Sequence, residues 1–125
     1  MLFTLLIAIL QYNNTINMGL TKSEIFTAEQ NQIAKIAKAI GHPARVAILQ
    51  HLLQKKACIC GDLVLEIGLA QPTISQHLRE LKNLGLIKGT VEGVKVCYCI
   101  DVEKYAEFNA VFQQLFGQDL GKSNC

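Results

Sequence analysis

The fold is decided by the stretch LVLEIGLAQPTISQHLREL, residues 63–81. Gly68 divides it into a short apolar run and a longer segment that begins near Pro72. In the second segment apolar residues recur at helical spacing, at Ile74, Leu78 and Leu81. Because glycine commonly ends a helix and proline is tolerated in a first turn, we expect two helices joined at Gly68. This is the pattern of a helix-turn-helix.

Two further helices are predicted before this stretch. Thr27 and Gln30 have the spacing of a capping box, in which each side chain satisfies a free backbone N–H of the first turn. The helix that they begin is expected to end at Gly41 in a left-handed conformation. Pro43 then opens a second helix that runs to Lys56. Its buried stripe is predicted at Val46, Leu49, Leu52 and Leu53.

The segments on either side of the helix-turn-helix have features of β structure. Cys58-Ile59-Cys60 is too short for a helix, and we expect a brief edge strand there. Asp62 is predicted to cap the third helix, which ends at Ile67. From Leu86 the apolar period changes to two, and Glu92-Gly93 supplies the turn of a β-hairpin.

A last helix is predicted after the hairpin, capped by Asp101. It carries more aromatic residues than a small helical core needs, so we interpret its apolar face as a dimer seam that the first helix can join. The predicted interface residues are Ile33, Ile36, Tyr105, Phe108, Phe112 and Leu115. The alternative is ordinary core packing against the first helix, because apolar stripes usually face their own domain.

These elements predict a fold that is mainly α with a small β-hairpin wing, a dimeric winged helix-turn-helix. The chain of 125 residues is 50% hydrophobic, which suffices for one domain with a modest core. We assign residues 1–25 to an apolar then polar extension, 26–116 to the domain, and 117–125 to a polar tail. The net charge is only +2, so charge alone does not indicate nucleic acid.

The beginning of the chain is apolar over residues 2–10. This run is well short of the roughly 20 residues that span a bilayer, and it lacks the basic start and cleavage site of a secretory signal. We therefore expect no membrane partner, and Met18 is an alternative to Met1 as the natural start. Five cysteines, an odd number, without an export signal indicate a reducing, cytoplasmic setting.

The second helix of the helix-turn-helix has a polar outer face. Burial of its apolar residues must turn Gln76, His77 and Arg79 outward, where they can bond base edges or phosphates in a major groove. Further cations follow at Lys82, Lys88 and Lys95. The alternative is a face that is merely solvated, but the preceding short helix and turn favour DNA contact.

The chain resembles the winged-helix repressors of the arsenic-repressor (ArsR/SmtB) family. The matching segments are Gly41-His42-Pro43-Ala44-Arg45, Gly61-Asp62-Leu63, residues 68–78, and Leu84-Gly85-Leu86-Ile87. The resemblance implies a homodimer that binds double-stranded operator DNA and releases it when a metal ion or another inducer arrives. It also implies DNA contacts by Gln71, Thr73, Ser75, Gln76, His77 and Arg79, and a wing that reaches flanking phosphates through Lys88 and Lys95.

The cysteines are two Cys-x-Cys pairs and a terminal Cys125. Thiolates bind soft or borderline ions such as As(III), Cd(II) or Zn(II). Aligned to the family without gaps, Cys58 and Cys60 fall on inward strand positions, one residue from its arsenic-binding pair, so core packing is the alternative for them. Cys97 and Cys99 are expected to face outward and are the preferred candidates for inducer chemistry. They can bind an ion alone, share it with Cys125 across a dimer, or oxidise. A zinc site on the last helix is not expected, because no histidine follows His77.

The leading hypothesis is a dimeric DNA-binding repressor, released from its operator by a thiophilic ion or by cysteine oxidation. The alternative is a thiol-based metal-binding protein that uses the winged helix only as a scaffold, which requires the four strand cysteines to converge. A module for protein contacts would need an apolar recognition helix, contrary to the sequence. Since no paired carboxylates, nucleophile–base set or phosphate-binding glycine loop occurs, we do not predict an enzyme.

Overall fold

The computed structural model describes residues 22–61 and 63–122, together with Thr4. The predicted cap Asp62, the terminal Cys125 and the remainder of the apolar run 2–10 lie outside the described residues. The chain divides into a unit of residues 1–32 and a unit of residues 33–125. Among the described residues, no helix has the length and apolar character needed to cross a membrane.

The described residues form five α-helices and a two-stranded antiparallel hairpin. The helices are α1 (Ala28–Ile40), α2 (Pro43–Lys55), α3 (Leu63–Ile67), α4 (Gln71–Leu84) and α5 (Val102–Phe116), and a 3-10 turn (Lys22–Ile25) precedes α1. The strands β1 (Ile87–Glu92) and β2 (Lys95–Ile100) lie between α4 and α5 in the chain. This order confirms the predicted mainly α fold with a hairpin wing.

The ends of α1 are fixed by two different devices. The predicted capping box is confirmed, because the Thr27 N–H donates to Gln30 Oε1 over 2.9 Å and the Gln30 N–H donates to Thr27 Oγ1 over 3.1 Å. The left-handed stop predicted at Gly41 is wrong, since Gly41 has no positive φ. Glycine suits this position for another reason. A Cβ atom there would lie 2.9 Å from the carbonyl oxygen of Ala37.

The buried face of α2 differs from the predicted stripe. Its buried residues are Ala44, Ile48 and Leu52, whereas Val46 and Leu53 are 42% and 36% exposed. The prediction is confirmed for Leu52 and for Leu49, which packs against the core, and is wrong for Val46 and Leu53. Because α2 has apolar residues nearly all round, spacing alone does not select one face. The spacing of four residues in the structure places the small Ala44 and two larger aliphatic side chains in one row.

One hydrophobic core joins the elements of the second unit. Its members are Ile36, Ile48, Leu52, Ile59, Leu63, Ile74, Leu78, Leu81, Leu86, Ile87 and Phe108. The helix-turn-helix is anchored in this core through Leu63 of α3 and the inner row of α4. Between the two helices Gly68 has φ 78°, the left-handed conformation expected of a turn glycine.

The hairpin is extended by one residue of the segment before α3. Ile59 pairs with Tyr98 of β2 in an isolated antiparallel bridge, and each backbone N–H donates to the other residue's carbonyl over 2.9 Å. The predicted edge strand at Cys58-Ile59-Cys60 is therefore a single bridge. Ile59 enters the core and Tyr98 packs against it. Because strand side chains alternate, the flanking cysteines lie on the opposite face.

Candidate nucleic-acid interface

The helix α4 presents a polar surface to solvent while its apolar row is buried. Ile74, Leu78 and Leu81 are core residues. The exposed residues include most of the predicted DNA contacts, namely Gln71, Thr73, Gln76, Arg79 and Lys82. Ser75 is half-buried, and its hydroxyl accepts a hydrogen bond of 3.2 Å from Gln71 Nε2. This contact orients the Gln71 amide along the outer face.

The ends of α4 follow from its sequence. Ala70 occupies the N-cap position and offers no side-chain hydrogen bond, so this cap is weak. Pro72 stands in the first turn, where its missing N–H costs little. Gly85 ends the helix in a left-handed conformation with φ 90°, and its N–H donates to the carbonyl of Lys82 over 2.9 Å.

His77 is the exception among the predicted DNA contacts. Only 7% of it is exposed, so its assignment to the DNA-facing surface is wrong. Its Nδ1 accepts a hydrogen bond of 3.1 Å from Arg45 Nε, and its ring lies 4.3 Å from that of His42. Helical spacing places His77 at the border between the buried and exposed faces of α4. Its hydrogen bond with Arg45 of α2 holds the ring on the buried side.

The environment of His77 favours its neutral form. Burial lowers the pKa of His77, and the electrostatic interactions with His42 and Arg45 act in the same direction. Glu80 acts in the opposite direction. Arg45 is itself fixed, because one of its terminal nitrogens donates to the carbonyl of Ala39 over 2.8 Å. These contacts tie α4 to α2 beneath the exposed surface.

The wing carries two exposed cations, and one of them lies beside α4. Lys88 on β1 and Lys95 on β2 are both exposed. Lys95 lines the same cavity, about 300 Å³ in volume, as Gln71 and Ser75 of α4. The structure thus brings predicted contacts of the wing and the helix to the two sides of one cleft.

The four strand cysteines converge on one face of the hairpin. Disulfides join Cys58 to Cys99 and Cys60 to Cys97. Their Cα atoms are 4.4 and 4.2 Å apart, close to the separation of about 4.5 Å typical of non-hydrogen-bonded antiparallel pairs. The hydrogen-bonded pair Ile59 and Tyr98 lies between them, so the two cross-links are the adjacent close-contact positions of the same ladder.

Two predictions about these cysteines are wrong. Cys97 and Cys99 are buried rather than exposed, because their disulfide partners cover them. Cys58 is exposed and Cys60 half-buried, and neither belongs to the core. The residue that enters the core is Ile59. The reversal follows from the bridge, since the residue paired with Tyr98 must share its inward face.

A second type of donor, a carboxylate, lies beside the Cys60–Cys97 pair. The carboxylate Oε2 of Glu92 is 3.6 Å from Cys97 Sγ. One ligand atom each from Cys60, Cys97 and Glu92 lies within 4.8 Å of the others. The sequence argument did not include Glu92. Its position could have been found from the hairpin register, in which Glu92 faces Lys95 and is the diagonal neighbour of Cys97.

The predicted dimer seam divides into buried and available residues. Ile36 and Phe108 belong to the subunit's own core, so they are not available to a partner and this part of the prediction is wrong. Ile33 is half-buried, and Phe112 packs partly against the core. Tyr105 and Leu115 remain exposed. The nearby Val102 and Phe116 are exposed as well.

A winged helix-turn-helix with a polar recognition helix defines a class of DNA-binding regulators. Residues 42–88 match the model of the family "Bacterial regulatory protein, arsR family". The chain is 36% identical over 83 residues to an HTH-type transcriptional regulator of Methanocaldococcus jannaschii. The aligned segment covers 66% of the chain and 92% of that relative. It belongs to the arsR family of winged-helix transcriptional regulators.

Two further similarities bear on function. The chain is 42% identical over 79 residues to a Staphylococcus aureus homolog of CadC, a cadmium resistance transcriptional regulatory protein, spanning 61% of the chain and 64% of that relative. A solved homodimeric winged helix-turn-helix DNA-binding domain from Mycobacterium bovis matches with a TM-score of 0.56 and 27% identity. That match covers 77% of the chain and 88% of the solved domain.

Proposed function

We propose that the chain is a homodimeric, sequence-specific repressor that binds operator DNA through α4 and the wing. The observation that carries the proposal is the division of α4 into a row of core residues and an exposed polar face. Gln71, Thr73, Gln76 and Arg79 lie on that face. Side chains of these types form specific contacts with base edges in the major groove.

The wing adds contacts that do not read sequence. Lys88 and Lys95 are exposed on the hairpin, and Lys95 shares a cleft with the start of α4. A groove-bound helix with an adjacent basic hairpin can hold base edges and flanking phosphates at the same time. The function is therefore one of binding rather than catalysis, and we place it in the cytoplasm, where operator DNA lies.

Dimerisation through α5 completes the proposal. Tyr105, Leu115 and Phe116 are exposed on this helix, with Leu115 48% and Phe116 74% exposed. A cluster of exposed apolar residues on one helix is a common mark of a protein interface. The homodimeric state of the similar Mycobacterium bovis domain supports the assignment. A two-fold dimer would place two copies of α4 for adjacent half-sites.

The cysteines supply the means of release. A thiophilic ion such as As(III), Cd(II) or Zn(II), or a change in the oxidation of the cysteines, would shift the dimer to a form that does not bind operator. Release requires the inducer to prefer the non-binding form. The four converging cysteines and the cadmium-resistance relative support this part. Convergence is equally required by the scaffold alternative, so DNA binding decides between them.

The experiment is selection of binding sites from a random-sequence duplex pool, followed by titration of the winning site. We expect an inverted repeat whose half-sites are about one helical turn apart. Arg79→Ala and Gln76→Ala should each weaken binding to that site by about 1–3 kcal/mol. Lys122→Ala removes a cation from the segment after α5 and serves as the control for charge. Enrichment of no sequence, together with tight metal binding, would favour the scaffold alternative.

A further inference from the structure

The disulfide-linked face of the hairpin has an inner and an outer pair, and they are not equivalent. The inner pair, Cys60 and Cys97, has the Glu92 carboxylate beside it, whereas no third His, Cys, Asp or Glu ligand joins Cys58 and Cys99 among the residues that the structure describes. Cys97 is fully buried, Cys60 half-buried and Glu92 exposed. The cluster is thus buried at Cys97 and open to solvent at Glu92.

Glu92 is free to act as a ligand. In the described part of the chain it makes no ion pair, and Lys95, its partner in the hairpin register, does not neutralise it through a salt bridge. Its recorded polar contact is with Cys97 Sγ. Two thiolates and one carboxylate form a donor set that suits a borderline-soft divalent ion such as Zn(II) or Cd(II).

We infer that Cys60, Cys97 and Glu92 form a redox-gated site for one Zn(II)- or Cd(II)-type ion, with the remaining coordination position open to water. The disulfide and the metal site are alternative states of the same two sulfurs. The Glu92 carboxylate distinguishes this cluster from an all-thiolate site, because carboxylate oxygens are common ligands of such divalent ions. The inference deepens the proposed function and rests on it for its regulatory meaning, because it names the site and the class of inducer.

The gating step is a thiol–disulfide exchange. Two molecules of a small cellular thiol supply two electrons and two protons, the Cys60–Cys97 bond breaks, and the two small thiols leave joined as their own disulfide. Binding of the divalent ion to the reduced pair then releases the two thiol protons. The bound ion would cross-link the segment before α3 to β2, next to Lys95 of the wing. Because the two charges of the ion replace the two released protons, metal occupancy acts through this cross-link, beside a residue assigned to phosphate contact, and not through a change in net charge.

The test is titration of the fully reduced, metal-free full chain with Cd(II). Binding is monitored by the thiolate-to-cadmium charge-transfer absorption. We expect one ion per chain in the reduced protein and none in the disulfide form. Cys60→Ser/Cys97→Ser should abolish the absorption. Glu92→Gln alters an exposed residue, so the fold is retained, and it should weaken the affinity about tenfold or more.

The matched control is the variant Cys58→Ser/Cys99→Ser, which removes the outer pair. When reduced, this variant should keep its affinity for Cd(II) within about twofold. An equal loss of Cd(II) affinity in this variant would overturn the proposed site, because it would show that all four thiolates bind the ion. Tight binding of As(III) by reduced protein that does not bind Cd(II) would also overturn the proposed site. DNA affinity of the reduced, metal-free chain is measured separately. Its absence would refute the repressor proposal while leaving the metal titration as a valid test of the site.

Discussion

Arg45 on α2 and His77 on α4 are joined by one hydrogen bond, in which the arginine Nε donates to the histidine Nδ1 over 3.1 Å. The acceptor nitrogen must be unprotonated, so the bond exists only while the imidazole is neutral. His42 lies against the same ring. The recognition helix is therefore held to the body of the domain by a contact that acid can break.

The first prediction is that the domain loses stability in acid. Burial lowers the pKa of native His77 below its ordinary value of 6.5. As the pH falls below that value, the unfolded chain binds the proton first, and the free energy of unfolding decreases. Urea denaturation between about pH 7.5 and about pH 5.5 should show the midpoint falling with pH. His77→Gln keeps an acceptor for Arg45 and should flatten this dependence.

His51→Gln is the matched control for this prediction, because it removes a histidine from α2 without altering the hydrogen bond to Arg45. It should retain the pH dependence of the unmodified chain. A dependence that persists unchanged in His77→Gln would assign the effect to other groups.

The second prediction concerns the cross-links. The Cys58–Cys99 bond joins residues separated by 41 positions in the chain, which by loop entropy stabilises the fold by about 4 kcal/mol. The Cys60–Cys97 bond lies directly beside it and should add much less, because the first bond has already closed the loop. A reductant should lower the thermal midpoint of the unmodified chain, and either Cys→Ser pair alone should lower it only slightly. Cys125→Ser is the control. Two equal, additive losses would contradict the ladder arrangement.

The third prediction separates side chains that recognise base sequence from side chains that only bind phosphates. Lys88→Ala and Lys95→Ala should weaken binding to the selected site and to random duplex by similar factors, because phosphate contacts do not depend on sequence. Each should reduce the slope of log affinity against log salt by about 1. Fluorescence anisotropy at several salt concentrations measures both quantities. A loss confined to the selected site would move these lysines into the group that reads bases.

The fourth prediction tests the dimer surface. Leu115→Asp places a charge on the exposed face of α5, and it should convert the dimer to a monomer that remains folded. Sedimentation velocity gives the mass, and circular dichroism checks the helices. Val94→Asp makes the same kind of change at the fully exposed tip of the hairpin and should leave the mass unaltered. A variant of Leu115 that stays dimeric would place the interface elsewhere.

Much of the fold could be predicted because local signals agreed with each other. The capping box at Thr27, the proline near the start of α4 and the left-handed Gly68 mark helix ends by their own chemistry. The apolar row of α4 was equally clear, since the residues between its members are polar. Where a helix is apolar nearly all round, as α2 is, periodicity carries little information about which face is buried.

The errors in the site arose from contacts between distant segments. His77 is buried because Arg45, 32 positions earlier, offers it a hydrogen bond. The orientation of the cysteines depends on Ile59 pairing with Tyr98, and a pairing register cannot be read from either segment alone. Glu92 became a candidate ligand only through the diagonal neighbours of the hairpin. In each case a long-range partner decided what local spacing left open.

The Cys60–Cys97 bond encloses α3, α4 and β1 in a covalent ring. A single backbone cut anywhere within that ring would leave the molecule in one piece until the sulfurs are reduced. The recognition helix and the hairpin cannot separate widely from each other while the ring is closed. In the proposed DNA complex, α4 and the wing would then approach and leave a duplex as one body.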